Sequence, residues 1–235
     1  LRLATDKARQ AFLDHIETVR NCSVKTRNAR LTAIRTFFSF IARQEPLLLE
    51  QCQRVRAIPL KRAAQRLLDY LDDDEMAAVF DAVTPNERLA ERDDALLLFM
   101  YNTGARAQEV ADVMIEDLRL EQPGHVKLHG KGGKERVCPL WPETAKALRQ
   151  YIEHRRPKEP TDGHLFLNAN DAPITRFGIR HIVRKYAAKA AEKCPSIAEK
   201  TVSAHTIRHS TAMHLIQSGN DVNGVRLWLG HADLN

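Results

Sequence analysis

The chain has 235 residues, 43% hydrophobic and 28% charged, with a net charge of +6. That balance is ordinary for a globular domain or two. No run approaches the roughly 20 apolar residues of a membrane helix, and no charged-then-apolar secretion signal opens it, so a membrane-embedded or exported protein is not expected. Four dispersed cysteines (Cys22, Cys52, Cys138 and Cys194) form no paired motif and read as reduced thiols of an intracellular protein. Charge is unevenly spread, with 14 Lys and Arg against 6 Asp and Glu in residues 1–70, and 22 against 24 in residues 71–235. A basic first quarter fits a segment that meets a polyanion, although a solvated basic helix face has the same composition.

Three helical patterns fill the start, at 5–20, 23–43 and 46–56. In the second, Leu31, Ile34, Phe37, Phe38 and Ile41 recur at helical spacing, while Lys25, Arg27, Arg30 and Arg35 fall mainly on the other faces. That helix would pack inwards and present a basic surface outwards. Leu1 stands where an initiating Met would, and three helices make a small core, so this bundle is expected to be incomplete at its N-terminus. A basic linker follows over 57–71, carrying Lys61, Arg62 and Arg66, with Pro59 marking a helix boundary. Asp72 and Glu75 then form a capping box ahead of Met76, Val79 and Phe80, where a second domain starts. Within it we expect helices over 87–102, from near Arg106, and over 143–155, 176–193, 205–218 and 222–228. A β-hairpin of Val126–His129 and Arg136–Leu140 turns through Gly130–Lys134.

Four short motifs stand in order along this second domain. They are Thr103-Gly104-Ala105-Arg106 with Glu109, Gly130-Lys131-Gly132-Gly133-Lys134-Glu135-Arg136, His205-Thr206-Ile207-Arg208-His209, and Leu229-Gly230-His231. Singly each is weak. The glycine-lysine run is not a phosphate-binding loop, because Glu135 follows Lys134 where Ser or Thr is required; a flexible hairpin tip explains it as well. His205 and His209 could share a zinc ion, but no carboxylate or thiol supports them, so no metal site is expected.

Taken together, the four motifs resemble the active-site signature of the tyrosine recombinases (the phage integrase family), and the resemblance runs over nearly the whole chain. Thr26-Arg27-Asn28-Ala29-Arg30-Leu31 is similar to part of that family's core-binding domain. The fold implied is mainly α with a small antiparallel β-sheet, comprising a helical core-binding domain over 1–56, the linker 57–71 and a mixed α+β catalytic domain over 72–235. The similarity is greatest to recombinases and integrases of bacterial mobile elements.

The resemblance implies that Arg106 and Arg208 grip the non-bridging oxygens of a scissile phosphate, a task suited to guanidiniums that keep their charge near neutrality. His205 and Arg208, at i and i+3, share one helix face, and His205 and His231 correspond to the family's phosphate-contacting, proton-handling histidines. Lys131 corresponds to the lysine that protonates the leaving 5′ oxygen, with Lys134 as the alternative in the same turn. Glu109 reads as a carboxylate that orients the cations. Lys25, Arg27, Arg30, Arg35, Lys61, Arg62, Lys134 and Arg136 are the expected DNA contacts.

The family's nucleophilic tyrosine follows the last histidine by a couple of helical turns, and here the sequence reaches Asn235 first; Tyr70, Tyr101, Tyr151 and Tyr186 are misplaced for that role. The implied reaction is transesterification through a 3′-phosphotyrosyl bond, with no metal or other cofactor. The implied partners are double-stranded DNA and further copies of the protein, a dimer on one site and a tetramer in synapsis, without a membrane, in the cytoplasm at the nucleoid. Two other readings stay open: strand relaxation like that of a type IB topoisomerase, and a non-catalytic DNA-binding protein that keeps the fold. The recombined sequence and the choice among integration, excision and inversion are not legible, since phosphate contacts carry no base readout.

Overall fold

A computed structural model describes residues 6–63, 69–85, 89–130, 132–155 and 163–230. The chain divides into two compact units, 1–67 and 68–235. Among the described residues no helix is long and apolar enough to cross a membrane.

The first unit holds α1 (Asp6–Thr18), α2 (Val24–Gln44) and α3 (Leu49–Ala57), with one 3-10 turn at Pro46–Leu48 leading into α3. Ser23 starts α2 by accepting a hydrogen bond from the Thr26 backbone N–H. Leu13, Ile16 and Leu31 form one buried cluster, Phe38, Cys52 and Val55 another, and Ile58 packs against both. Phe37, expected in this core, is 52% exposed.

The basic face expected of α2 is only partly at the surface. Lys25 is exposed and Arg30 half-buried, but Arg27 is buried. Its guanidinium donates to the Pro59 carbonyl at 3.0 Å and lies 3.6 Å from Glu17. Arg35 donates to the Ile58 carbonyl, and the Asn28 amide brackets Lys61, accepting from its N–H at 3.1 Å and donating to its carbonyl at 2.7 Å. The physical reason is that carbonyls at and just past the end of α3 have no helical partner, and arginines on α2 supply one. Arg27 and Arg35 therefore fasten the start of the linker instead of facing outwards. Of the expected linker contacts, Lys61 is exposed and bonded to Glu17 at 2.6 Å, and Arg62 is exposed.

The second unit begins with α4 (Asp73–Asp81), closed by the Asp72–Glu75 capping box, then α5 (Ala90–Thr103) and α6 (Ala107–Asp112). Three antiparallel strands follow in the order β1 (Leu118–Arg119), β2 (His125–His129) and β3 (Glu135–Pro139), with Val126 opposite Cys138 and Leu128 opposite Arg136. Four helices complete it: α7 (Pro142–His154), α8 (Arg176–Ala191), α9 (Ala204–Gln217) and α10 (Val222–Leu229). Helix α5 is central, packed against α7 and α9; α8 lies against α4 and α6, and α10 against α9 and β3.

Helix α5 is buried on most of its surface, and two of its charged residues, Arg92 and Asp93, are enclosed. Asp93 takes the Arg92 guanidinium at 2.5 Å and the Tyr186 hydroxyl at 2.8 Å, which satisfies groups that would otherwise be costly to bury. Strand β1, two residues long, is absent from the hairpin expected on sequence grounds.

Candidate active site

Arg106 stands at the N-cap of α6, two residues after the left-handed Gly104 that ends α5. Gly104 has φ +57°, and a Cβ there would come within 2.3 Å of Leu229 Cδ2. A glycine is thus required both by the turn and by the seating of α10 against it. Glu109, three residues on, holds Arg106 twice: it accepts from the Arg106 backbone N–H at 2.9 Å through Oε2 and from Nη1 at 2.8 Å through Oε1. The first bond is the carboxylate half of a capping box, and the second aims the guanidinium. The Arg106 side chain stays 39% exposed while that of Glu109 is buried.

Arg208 reaches the same place from α9. Ser203 and Thr206 cap that helix reciprocally, and the Thr211 hydroxyl donates to the Tyr101 carbonyl at 2.6 Å, tying α9 to the end of α5. The buried Arg208 guanidinium donates through Nη1 to the Gly104 carbonyl at 2.5 Å and through Nη2 to the Leu229 carbonyl at 2.7 Å. These carbonyls lie at the C-terminal ends of α5 and α10, where the helix dipoles are negative, so the cation is held by two helix ends. Burial, reinforced by the nearby Arg106 and Arg136 and opposed by Glu109, brings its pKa down to about 10. It therefore remains charged at neutral pH.

His205 lies in the first turn of α9 and is exposed, three residues before Arg208. His209 is half-buried, and burial together with His205 and Arg208 holds its imidazole below the ordinary histidine range. Lys134 is exposed at the hairpin turn. Lys131 and His231 lie outside the described residues.

Arg136, expected at the DNA surface, is instead turned inwards. Its side chain is 9% exposed, donating through Nη2 to Glu109 Oε2 at 2.8 Å and through Nε to the Trp228 carbonyl at 3.1 Å. The reason lies in strand alternation: Arg136 shares a face of β3 with the buried Cys138, two residues on. That period was the signal available in the sequence, and its nearness to the turn lysines masked it. Burial works to raise the Glu109 carboxyl, but hydrogen bonds from Arg136 and from Arg106 outweigh it and hold Glu109 below the usual carboxylate range. Trp228 is the other participant missed: its indole N–H donates to the Asn102 carbonyl at 2.9 Å, and this anchors α10 to α5. Arg106, Glu109, Arg136 and Arg208 thus form one constellation around a single carboxylate, in which Arg106 and Arg208 are suited to holding a phosphate while Arg136 is bonded inwards to Glu109 and the Trp228 carbonyl.

Comparison with known proteins agrees with this architecture. The model of the phage integrase family matches residues 69–235. A putative integrase/recombinase, y4rC, of Sinorhizobium fredii is 36% identical over 94% of this chain and 66% of its own length; a second, y4rD, is 39% identical over 85% and 71%. Tyrosine recombinase XerD of Staphylococcus epidermidis is 33% identical over 87% of this chain and 67% of its own. The chain spans about two thirds of the length of these curated relatives. Among solved structures, the XerH site-specific recombinase bound to difH substrate superposes with a TM-score of 0.79 at 23% identity, covering 99% of this chain and 65% of that one. The Tn1549 transposon integrase in complex with circular intermediate DNA gives 0.77 at 17% identity, covering 98% and 78%. These two likenesses concern the fold alone. The chain belongs to the phage integrase family.

Proposed function

We propose that this protein is a site-specific DNA recombinase or integrase that breaks and rejoins duplex DNA through a 3′-phosphotyrosyl intermediate. The observation that carries this reading is the convergence of Arg106 and Arg208, set by Glu109 and by two helix ends, into a fixed guanidinium pair. Such a pair stabilises the charge that grows on the non-bridging oxygens as a nucleophile attacks phosphorus. His205, on the helix that carries Arg208, is assigned to phosphate contact and proton handling, together with His231. Lys131 is assigned to protonating the leaving 5′ oxygen, with Lys134 as its alternate. Residues 1–56 are assigned to a core-binding domain and 72–235 to the catalytic domain. Lys25, Arg30, Lys61 and Arg62 are the DNA-backbone contacts in this assignment.

None of Tyr70, Tyr101, Tyr151 and Tyr186 is the nucleophile in this assignment, so a polypeptide of residues 1–235 is expected to bind DNA without bonding to it. The putative integrase/recombinase relatives, and a fold shared with a transposon integrase, fit action on a mobile element; the cytoplasm is the place assigned to it. Strand exchange between two bound sites implies assembly of four copies on DNA.

The test is incubation of the full-length protein with a nicked suicide substrate, followed by a denaturing gel. A covalent protein–DNA band is expected from the full-length protein and none from residues 1–235. A band from 1–235 would move the nucleophile to one of the four tyrosines present. Relaxation of supercoiled DNA without exchange of strands between sites would favour a topoisomerase.

A further inference from the structure

Arg136 is the residue whose surroundings the reading above does not use. It lies 27 residues from Glu109 and 92 from Trp228 in sequence, and its guanidinium bonds to both. We propose that Arg136 is a positioning residue for strand cleavage: it fastens the β2–β3 hairpin to the end of α10 and, by occupying one oxygen of Glu109, fixes how Arg106 is presented. This inference rests on the recombinase reading.

Glu109 divides its two oxygens between the arginines. Oε1 accepts from Arg106 Nη1, while Oε2 accepts from the Arg106 backbone N–H and from Arg136 Nη2. A free carboxylate beside an arginine tends towards the two-bond fork, in which both guanidinium nitrogens face the acid. With Oε2 occupied by Arg136, Arg106 is limited to a single side-chain bond, and its remaining donors stay directed away from Glu109. Loss of Arg136 frees Oε2, and Arg106 then closes onto its own carboxylate.

The second contact acts on α10. Arg136 Nε caps the Trp228 carbonyl in the last turn of that helix, beside the Leu229 carbonyl taken by Arg208. Gly230 follows with φ +68°, and a Cβ there would stand 2.9 Å from Arg136 Cδ. The turn leaving α10 is thus moulded on the Arg136 side chain. Lysine cannot replace it, because one ammonium on a flexible stem does not span an acid and a carbonyl with the fixed fork of a guanidinium.

Among the described residues, the charged groups facing Glu109 are Arg106 from the N-cap of α6, Arg136 from β3 and Arg208 from α9. Removing Arg136 takes away a donor that favours the ionised carboxylate, so the Glu109 pKa rises. At low pH Glu109 then protonates and releases Arg106.

The experiment compares Arg136→Gln and Arg136→Lys with the parent in the full-length protein. It uses single-turnover cleavage of a suicide substrate across pH, duplex affinity, and amide exchange at residues 228–230. Arg136→Gln is expected to slow cleavage about 100-fold, the cost of misplacing a reacting group by roughly an ångström. Its duplex Kd and the salt dependence of that Kd stay as in the parent, exchange at 228–230 accelerates, and the acid limb of the rate profile moves to higher pH. Arg136→Lys keeps the acid limb in place and still loses protection at 228–230. A folded Arg136→Gln protein that cleaves normally, or one that loses affinity in step with a flatter salt slope, overturns the proposal; the latter returns Arg136 to the DNA surface. A slower rate with an unmoved acid limb overturns the Glu109 link. If Arg136→Gln does not fold, Arg136→Lys decides: unchanged rate and exchange overturn the proposal. Absence of a covalent band from the parent defeats the recombinase reading instead, and exchange at 228–230 still decides whether Arg136 holds α10.

Discussion

Arg208 combines two roles at a single side chain. From its spacing to His205 it reads as a group facing the substrate, so that Arg208→Ala should cost chemistry and spare the fold. The structure makes it also the donor for the Gly104 and Leu229 carbonyls. Truncation leaves both acceptors buried without a partner, at about 1–3 kcal/mol each. Arg208→Ala is therefore expected to lower the melting temperature measurably as well as to cut cleavage by roughly 10²–10³ where the variant is still folded. Circular dichroism melts and a suicide-substrate assay at low temperature separate the two effects; near-normal cleavage by the folded variant would remove Arg208 from the site. Arg106, with its side chain 39% exposed and held by Glu109, is expected to lose cleavage on change to Gln with a smaller loss of stability.

Among the elements, the junctions around α9 set where the site stands. Gly104 and Gly219 both have positive φ, but a Cβ at 104 meets Leu229 at 2.3 Å while one at 219 meets nothing within 4 Å. Gly219→Ala should cost about 1–2 kcal/mol of backbone strain; Gly104→Ala should add about 1–3 kcal/mol of overpacking and loosen α10, a difference readable in urea titrations. Ahead of α9, the segment 195–200 is tied to α4 through buried Glu75, which accepts from Lys200 Nζ at 2.5 Å and Ser196 Oγ at 2.6 Å. Burial works to raise the Glu75 pKa, but the bonds from Lys200, Ser196 and the Asp72 N–H hold it low, as Arg136 and Arg106 do for Glu109. A depressed folded-state pKa gives stability that is present above the unfolded glutamate value of roughly 4.3 and lost as pH falls through the folded one. Glu75→Gln should thus destabilise at neutral pH and flatten the fall in stability below about pH 4; an unchanged acid slope would count against the Glu75–Lys200 bond.

Helix α2 is legible in the sequence because its apolar residues recur on one side, and α4 because its capping box is written in four residues. The hairpin shows itself through its turn, with three expected strand ends one residue away from those observed and the fourth, His129, coincident. Helix α5 is buried on most of its surface, so periodicity says little there and its expected start falls three residues early. Strand β1 has too few residues to carry a pattern. Within the site, motif order locates Arg106, Glu109 and Arg208, whereas the inward turn of Arg136 and the carbonyl bonds of Arg208 depend on packing between segments far apart in sequence.

On the scale of the whole molecule, the excess of positive charge in residues 1–70 is divided between tasks. Lys25 and Arg30 reach solvent while Arg27 is enclosed. Neutralising Lys25 and Arg30 should reduce the slope of log affinity against log salt by about 0.9 for each DNA phosphate left without its cation, with little change in folding. Arg27→Ala should destabilise the first unit by about 1–3 kcal/mol, because the Pro59 carbonyl loses its donor while Glu17 keeps Lys61. Salt titrations and thermal melts on the same variants distinguish the two roles, and an unchanged slope for Lys25 and Arg30 would return them to plain solvated surface.

The constellation at Glu109 is also electrically unbalanced. Among the described residues it sets three permanent cations, Arg106, Arg136 and Arg208, around one anion. Each guanidinium is disfavoured by its two neighbours, and folding bears that repulsion until another negative group arrives. A tetrahedral oxyanion is therefore a missing counter-ion of the folded state as well as a substrate group. Sulfate or inorganic phosphate should raise the melting temperature of residues 68–235 in the intact chain, by RT ln(1 + [L]/Kd) in free energy. Chloride at equal ionic strength should do so far less, and the difference should shrink in Arg106→Gln. Thermal stability then reports occupancy of the site with no DNA present and no bond broken.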